Sequence, residues 1–146
     1  MLNQILAGAG ISFINFGIHA LMTGLIVVVT HRTAAATDEL HVFARVSALL
    51  LVTMTVLMVA HVSEIAVWAI FLDLVGITVQ HAGTFEFAFE NYVALGYGDV
   101  VAGDGWRLIG PIASLNGLLL IGWSVALIFE VMRMAEIKIA RRPPSR

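Results

Sequence analysis

Residues 2–30 contain no aspartate, glutamate, lysine or arginine. That run is longer than the roughly 20 apolar residues that cross a hydrocarbon layer as a helix. The whole chain follows suit: of 146 residues 60% are hydrophobic and 12% charged, with a mean hydropathy of +0.94. A soluble globule of this length needs more polar surface than that, so the sequence implies a membrane protein. The first run is expected to stay in the chain as a spanning helix. Secretory signal peptides open on a basic segment and carry apolar runs of about 7–15 residues, whereas Met1 to Gln4 is uncharged. A small-residue cleavage site would fall at Ala34-Ala35-Ala36.

Two further apolar stretches cover residues 42–72 and 108–129. The second of the three spans carries His61 and Glu64 in its later part, and Asp73 just beyond. The link between the first two spans, residues 31–41, is polar, and residues 130–146 form a mixed-charge tail expected to be exposed and frayed. Between the second and third spans, Phe85, Phe87, Ala88 and Phe89 form an apolar run too short to cross a bilayer, followed by Gly96-Tyr97-Gly98. Such a run beside a loop reads as a re-entrant segment. Arg32, Arg45, Arg133, Lys138, Arg141, Arg142 and Arg146 flank one side of the spans and Arg107 alone the other. The positive-inside rule then puts the C-terminus in the cytoplasm and the N-terminus outside, in a multi-pass cell-membrane protein. The outer connection carries Asp73, Glu86, Glu90, Asp99 and Asp104, an acidic mouth that either concentrates cations or simply solvates the loop.

A formal net charge of −2 argues against a nucleic-acid partner, and the absence of cysteine removes disulfides and thiolate metal sites. No nucleophile, base and orienting group fall at recognisable spacing, so an enzyme is not expected. The informative segment is Ala94-Leu95-Gly96-Tyr97-Gly98-Asp99. Irregular backbone is tolerated at membrane depth only where it is buried in protein or lines a watery cavity. Glycine reaches positive φ readily, so Gly96 and Gly98, alternating with Leu95 and Tyr97, can turn successive carbonyl oxygens towards one axis and replace the water around a cation.

This stretch resembles the potassium-channel signature Thr-Val-Gly-Tyr-Gly-Asp, and the likeness extends over residues 85–131. Small bacterial three-span ion-channel proteins show the same layout, with a His-x-x-Glu-x-x-x-Trp-Ala pattern that His61, Glu64, Trp68 and Ala69 reproduce. The resemblance implies an all-α membrane fold with three transmembrane helices. A re-entrant pore helix and filter lie between the second and third, and the chain assembles as a homotetramer in the lipid bilayer. It divides the chain into an extra helix and cytoplasmic link (1–41), a pore domain (42–133) and a cytoplasmic tail (134–146). Potassium ions would bind at the backbone of Ala94, Leu95, Gly96, Tyr97 and Gly98, with no other cofactor. Glu90 and Asp99 would pair behind the filter, sharing a proton. Gly117 and Gly122 match the family's inner-helix glycines, as hinge or as close-packing sites. Leu118, Ile121, Val125 and Phe129 would line the inner cavity, with Phe129 as a hydrophobic gate, or else form a core stripe.

Ala94 stands where the family has threonine. The innermost cation site therefore loses a hydroxyl ring, selectivity for potassium over sodium is weakened, and Ala94→Thr is expected to restore the site. The alternatives are a weakly selective monovalent cation channel and a non-conducting scaffold or partner subunit. His61 and Glu64 lie on one helical face at i and i+3, and fit an interhelical link, a proton sensor, or two ligands of a metal that would need others. His19 and Asn15 read as interhelical hydrogen-bond partners.

Overall fold

In a computed structural model the chain folds into four helices: α1 (Leu2–Ala36), α2 (Val42–Val75), α3 (Thr84–Tyr92) and α4 (Ile109–Ala140). The structure describes residues 1–77, 83–96, 101–103 and 105–140, the last five of these by backbone alone. Helices α1 and α2, and Ile109–Ala135 of α4, are long and apolar enough to cross a membrane. With 35 residues α1 runs about 52 Å at the helical rise, well beyond a hydrocarbon core of about 30 Å.

Two boundaries differ from those read in the sequence. Helix α1 continues through His31 and Arg32 to Ala36, which shortens the polar link to residues 37–41. Helix α4 runs on to Ala140, so residues 130–140 are helical rather than a frayed tail. The cause is the same in both: these segments are charged but contain neither glycine nor proline, and charge ends a membrane span without ending a helix. An exposed pair three residues apart, Arg133 and Glu130 at 3.4 Å, supports the extension of α4.

The long helices α1, α2 and α4 pack against one another, and α3 sits against α2 and α4. The buried positions of α1 are Gln4, Gly8, Asn15, His19, Ile26 and Thr30, recurring on a single face. Most are polar or small, whereas Leu6, Phe13 and Leu21 point outward. Amphipathicity is thus inverted relative to a soluble bundle. Lipid solvates the apolar side, and the inward side holds groups that must find hydrogen bonds. Gln4 shows this at the start of α1: its amide nitrogen donates to the Gly105 carbonyl and its oxygen accepts from the Leu108 amide at 3.0 Å. That satisfies one of the N–H groups left open at the start of α4.

Two apolar clusters hold the bundle. The larger joins Trp68, Leu72, Phe87, Tyr92, Ile109 and Leu120 across α2, α3 and α4. The smaller joins Ile26, Leu49, Leu57 and Val131 towards the basic end. A layer of buried polar side chains includes Asn15, His19, Glu64, Asn116 and Ser124.

Candidate functional site

All four helices contribute to that layer. Its centre is the Glu64 carboxylate, which is fully buried. Oε1 lies 2.8 Å from His19 Nδ1 of α1. Oε2 accepts the Tyr92 hydroxyl of α3 and lies 3.2 Å from His61 Nδ1. His61 Nδ1 is also 2.8 Å from the Tyr92 oxygen, and its Nε2 is 2.8 Å from Ser124 Oγ of α4. Ser124 in turn lies 3.4 Å from His19 Nε2. One helical turn away, Asn116 Oδ1 accepts from both Asn15 Nδ2 (3.0 Å) and Trp68 Nε1 (3.0 Å), and Asn15 Nδ2 also reaches the Glu64 carbonyl at 3.2 Å. Indole nitrogen can only donate, which fixes the orientation of the Asn116 amide.

The cluster can be counted in protons. The Tyr92 hydroxyl donates a hydrogen bond to Glu64, and the two imidazoles turn Nδ1 towards the carboxylate side and Nε2 towards Ser124. With both rings neutral and protonated on Nδ1, the single Ser124 proton faces two Nε2 lone pairs, and one goes without. A further proton on either Nε2 closes the set, because that ring donates to Ser124 and Ser124 donates to the other. In that form one imidazolium would face one carboxylate and the cluster would carry no net charge. The ring of Trp123 is centred 5.2 Å from that of His19 and tilted 57° to it.

His19, His61 and Glu64 also bring ligand atoms within 4.8 Å of one another, the sort of trio that can hold a metal ion. Tetrahedral zinc with bonds near 2.0 Å asks for ligand separations of about 3.3 Å, and the same atoms are already engaged in hydrogen bonds to one another. The donor set therefore fits protons as it stands, and a metal only after rearrangement. The pairing of His61 with Glu64 and the interhelical bonding of His19 and Asn15 are where the sequence placed them. Tyr92, Asn116 and Ser124 were missed. Their signal was present: Asn116 and Ser124, with Ser114, are the polar side chains of an apolar span, and the first two stand eight apart, and so on neighbouring parts of one helical face.

The segment after α3 begins with a turn of defined geometry. Ala94 N–H bonds the Asn91 carbonyl and Leu95 N–H the Glu90 carbonyl, each at 2.9 Å. This is the Schellman pattern, with Ala94 at the left-handed position (φ 55°). Helix α2 ends in the same way on Gly76, φ 69°. Glycine takes that conformation freely, while alanine pays for its Cβ. Gly96 is left-handed too, with φ 62°, so positive φ occurs at 94 and 96 on either side of Leu95. Val93, Ala94, Leu95 and Gly96 are exposed on the single chain. A threonine at 94 would place a β-branched side chain at this positive φ, where such residues are poorly tolerated. Tyr97, Gly98 and Asp99 lie outside the described residues, as does Asp104. Glu90 is half-buried on α3. Asp73 stands in the last turn of α2, and Glu86 in the first turn of α3, rather than in a loop.

Helix α4 meets the end of α3 at Gly117. A Cβ there would collide with the Tyr92 carbonyl, and Ser114 Oγ donates to the Asn91 carbonyl at 2.7 Å. Gly117 thus serves close approach, whereas nothing stands near Gly122. Leu118, Val125 and Phe129 are exposed on the single chain, Phe129 by 66%, so they are not a core stripe of this subunit. Ile121 packs partly buried against the larger cluster.

No curated protein and no solved structure matches the chain. A family model described as "Ion channel" matches residues 60–134. The match takes in the later part of α2, all of α3 and most of α4, with His61, Glu64, Tyr92 and Ser124 inside it. This membrane protein with three candidate spans belongs to the ion channel family.

Proposed function

We propose that the chain is one subunit of a homotetrameric potassium channel that passes dehydrated cations through carbonyls of residues 94–98. The observation that carries this reading is the backbone after α3. Left-handed conformations at Ala94 and Gly96 flank Leu95 on an exposed turn at the C-terminal end of a short helix. Alternating hands of this kind turn neighbouring carbonyls to one side, and a helix C-terminus carries partial negative charge that favours a cation. One copy supplies a quarter of a carbonyl ring, so four copies are required. In this arrangement residues 42–133 form the pore domain, α3 is the re-entrant pore helix, and Glu90 with Asp99 supports the filter. The exposed face of Leu118, Val125 and Phe129 lines the cavity, with Phe129 at the gate and Gly122 free to bend. The basic end faces the cytoplasm, and residues 1–41 and 134–146 flank the pore domain.

Ion flux from liposomes containing the purified protein tests the reading. Potassium efflux, and reversal potentials that favour potassium over sodium, are expected. Flux with equal permeability would point instead to the weakly selective channel suggested by Ala94. Absence of flux from a stable tetramer would leave the scaffold role.

A second reading follows from the polar layer. His61 and Glu64 act as the link that ties α1, α2 and α4 to the end of α3, and the cluster binds or releases one proton as it does so. Flux measured against pH in native and Ser124→Ala protein checks this, because the variant removes the bridge between the two Nε2 atoms while sparing the carboxylate. Identical pH profiles would reduce the cluster to a mechanical link.

A further inference from the structure

At the basic end of the bundle α1, α2 and α4 leave a groove of about 250 Å³, whose lining includes His31, Ala34, Arg45, Leu49, Val131 and Met134. Its walls are mostly apolar, with Thr30, His31 and Arg45 as the polar residues among them. That arginine is 7% exposed, and its guanidinium is only half used. Nη1 donates to Asp38 at 2.7 Å, while Nη2 is buried without a hydrogen-bond partner. A buried charged donor left open calls for an acceptor. A lone water is a poor answer in an apolar space several times the roughly 30 Å³ that one water occupies.

The position of the groove narrows the choice. Arg45 lies in the first turn of α2, and the residues that follow, 46–63, carry no charge. The guanidinium therefore stands at the edge of the hydrocarbon layer, where lipid phosphates lie, and the apolar walls extend beside it. We propose that this groove binds one phospholipid, its phosphodiester oxygen accepting from Arg45 Nη2 and part of one acyl chain filling the space between α1, α2 and α4. Arginine offers phosphate a planar fork of donors, one arm of which Asp38 holds in place. The occupant needs both features, a phosphate for the open donor and a chain for the apolar space. Free phosphate has only the first and diacylglycerol only the second.

The test is lipid retention by the full-length protein in detergent, read by native mass spectrometry with phosphatidylglycerol, diacylglycerol of the same chains, or inorganic phosphate. The native protein should retain phosphatidylglycerol about tenfold more strongly than diacylglycerol, the effect of a charge-assisted contact at the membrane surface. Inorganic phosphate should not displace it. Arg45→Gln should lower phosphatidylglycerol to the diacylglycerol level, and Ala34→Phe, which fills the groove and leaves the guanidinium alone, should lower both. Equal retention of the two lipids by native protein would overturn the proposal, as would displacement by inorganic phosphate, which would signify a simple anion site. Unchanged retention in Ala34→Phe would do the same. Failure to retain lipid, with cross-links between Ala34→Cys chains, would assign the groove to a second copy. Should Arg45→Gln not fold, the comparison of lipids on native protein and Ala34→Phe still decides the matter.

Discussion

The polar layer around Glu64 and the face of α4 around Phe129 are opposite kinds of surface. In the layer every functional group of Glu64, His61 and Tyr92 has a partner within the same chain, supplied by all four helices. On the α4 face Leu118, Val125 and Phe129 stand exposed, as do Ala94, Leu95 and Gly96 in the turn after α3. The first region closes almost entirely within one subunit, with only Asn15 Oδ1 and Asn116 Nδ2 of its buried side-chain atoms, among the described residues, left open, and it serves to hold the subunit together. The second is incomplete in one subunit, as expected of a surface that works only when copies surround an axis. On the proposed reading stability and conduction fall to different residues, and substitutions should separate them.

The largest effect is expected from Glu64→Ala. Removing the carboxylate leaves the buried His19 ring, the partly buried His61 ring and a tyrosine hydroxyl without their shared acceptor, and breaking a buried pair from one side costs about 3–5 kcal/mol. Unfolding of the detergent-solubilised protein by heat or denaturant measures it, with Glu64→Gln retaining part of the loss because the amide still accepts. A near-neutral Glu64→Ala would mean that the layer is not what holds the subunit. Tyr92→Phe should cost less, about 2 kcal/mol for a hydrogen bond to a charged group, since His19 and His61 still face Glu64.

At position 94 the two regions meet, because the end of α3 is held by the layer through Tyr92 and leads directly into the exposed turn. Ala94→Gly should raise stability by about 1 kcal/mol by relieving the left-handed alanine, as Gly76 does natively at the end of α2. Ala94→Thr should lower it by a similar amount. A threonine variant as stable as the native protein would show that the turn changes hand on assembly. The smallest effect on stability belongs to Phe129→Ala, within about 0.5 kcal/mol for an exposed side chain. The same variant should raise basal ion flux if Phe129 closes the passage, and unchanged flux from an intact assembly would move the gate elsewhere.

How far each region was legible in the sequence follows from the range of the interactions that build it. The spans were readable because a bilayer demands long apolar runs, and the pairing of His61 with Glu64 because i and i+3 on a helix are neighbours whatever the tertiary fold. Helix ends were misplaced at residues 31–36 and 130–140 because the sequence reports where the apolar solvent stops, and hydrogen-bonded backbone continues past that point. That Tyr92 closes on a carboxylate 28 residues before it, and that Ser124 stands between two imidazoles, are contacts between helices. No local pattern encodes which face of one span meets which face of another. The sequence by itself determined a three-span membrane protein with ionisable groups in its second span and a glycine-containing turn before its third. The tertiary structure decided that those groups form one cluster joining every helix, that Gly117 marks where α4 touches α3, and that Ala94 carries a left-handed turn. The physical reason is that periodicity and hydropathy act along a single helix, whereas a buried donor or a close backbone approach is settled only when the helices are docked.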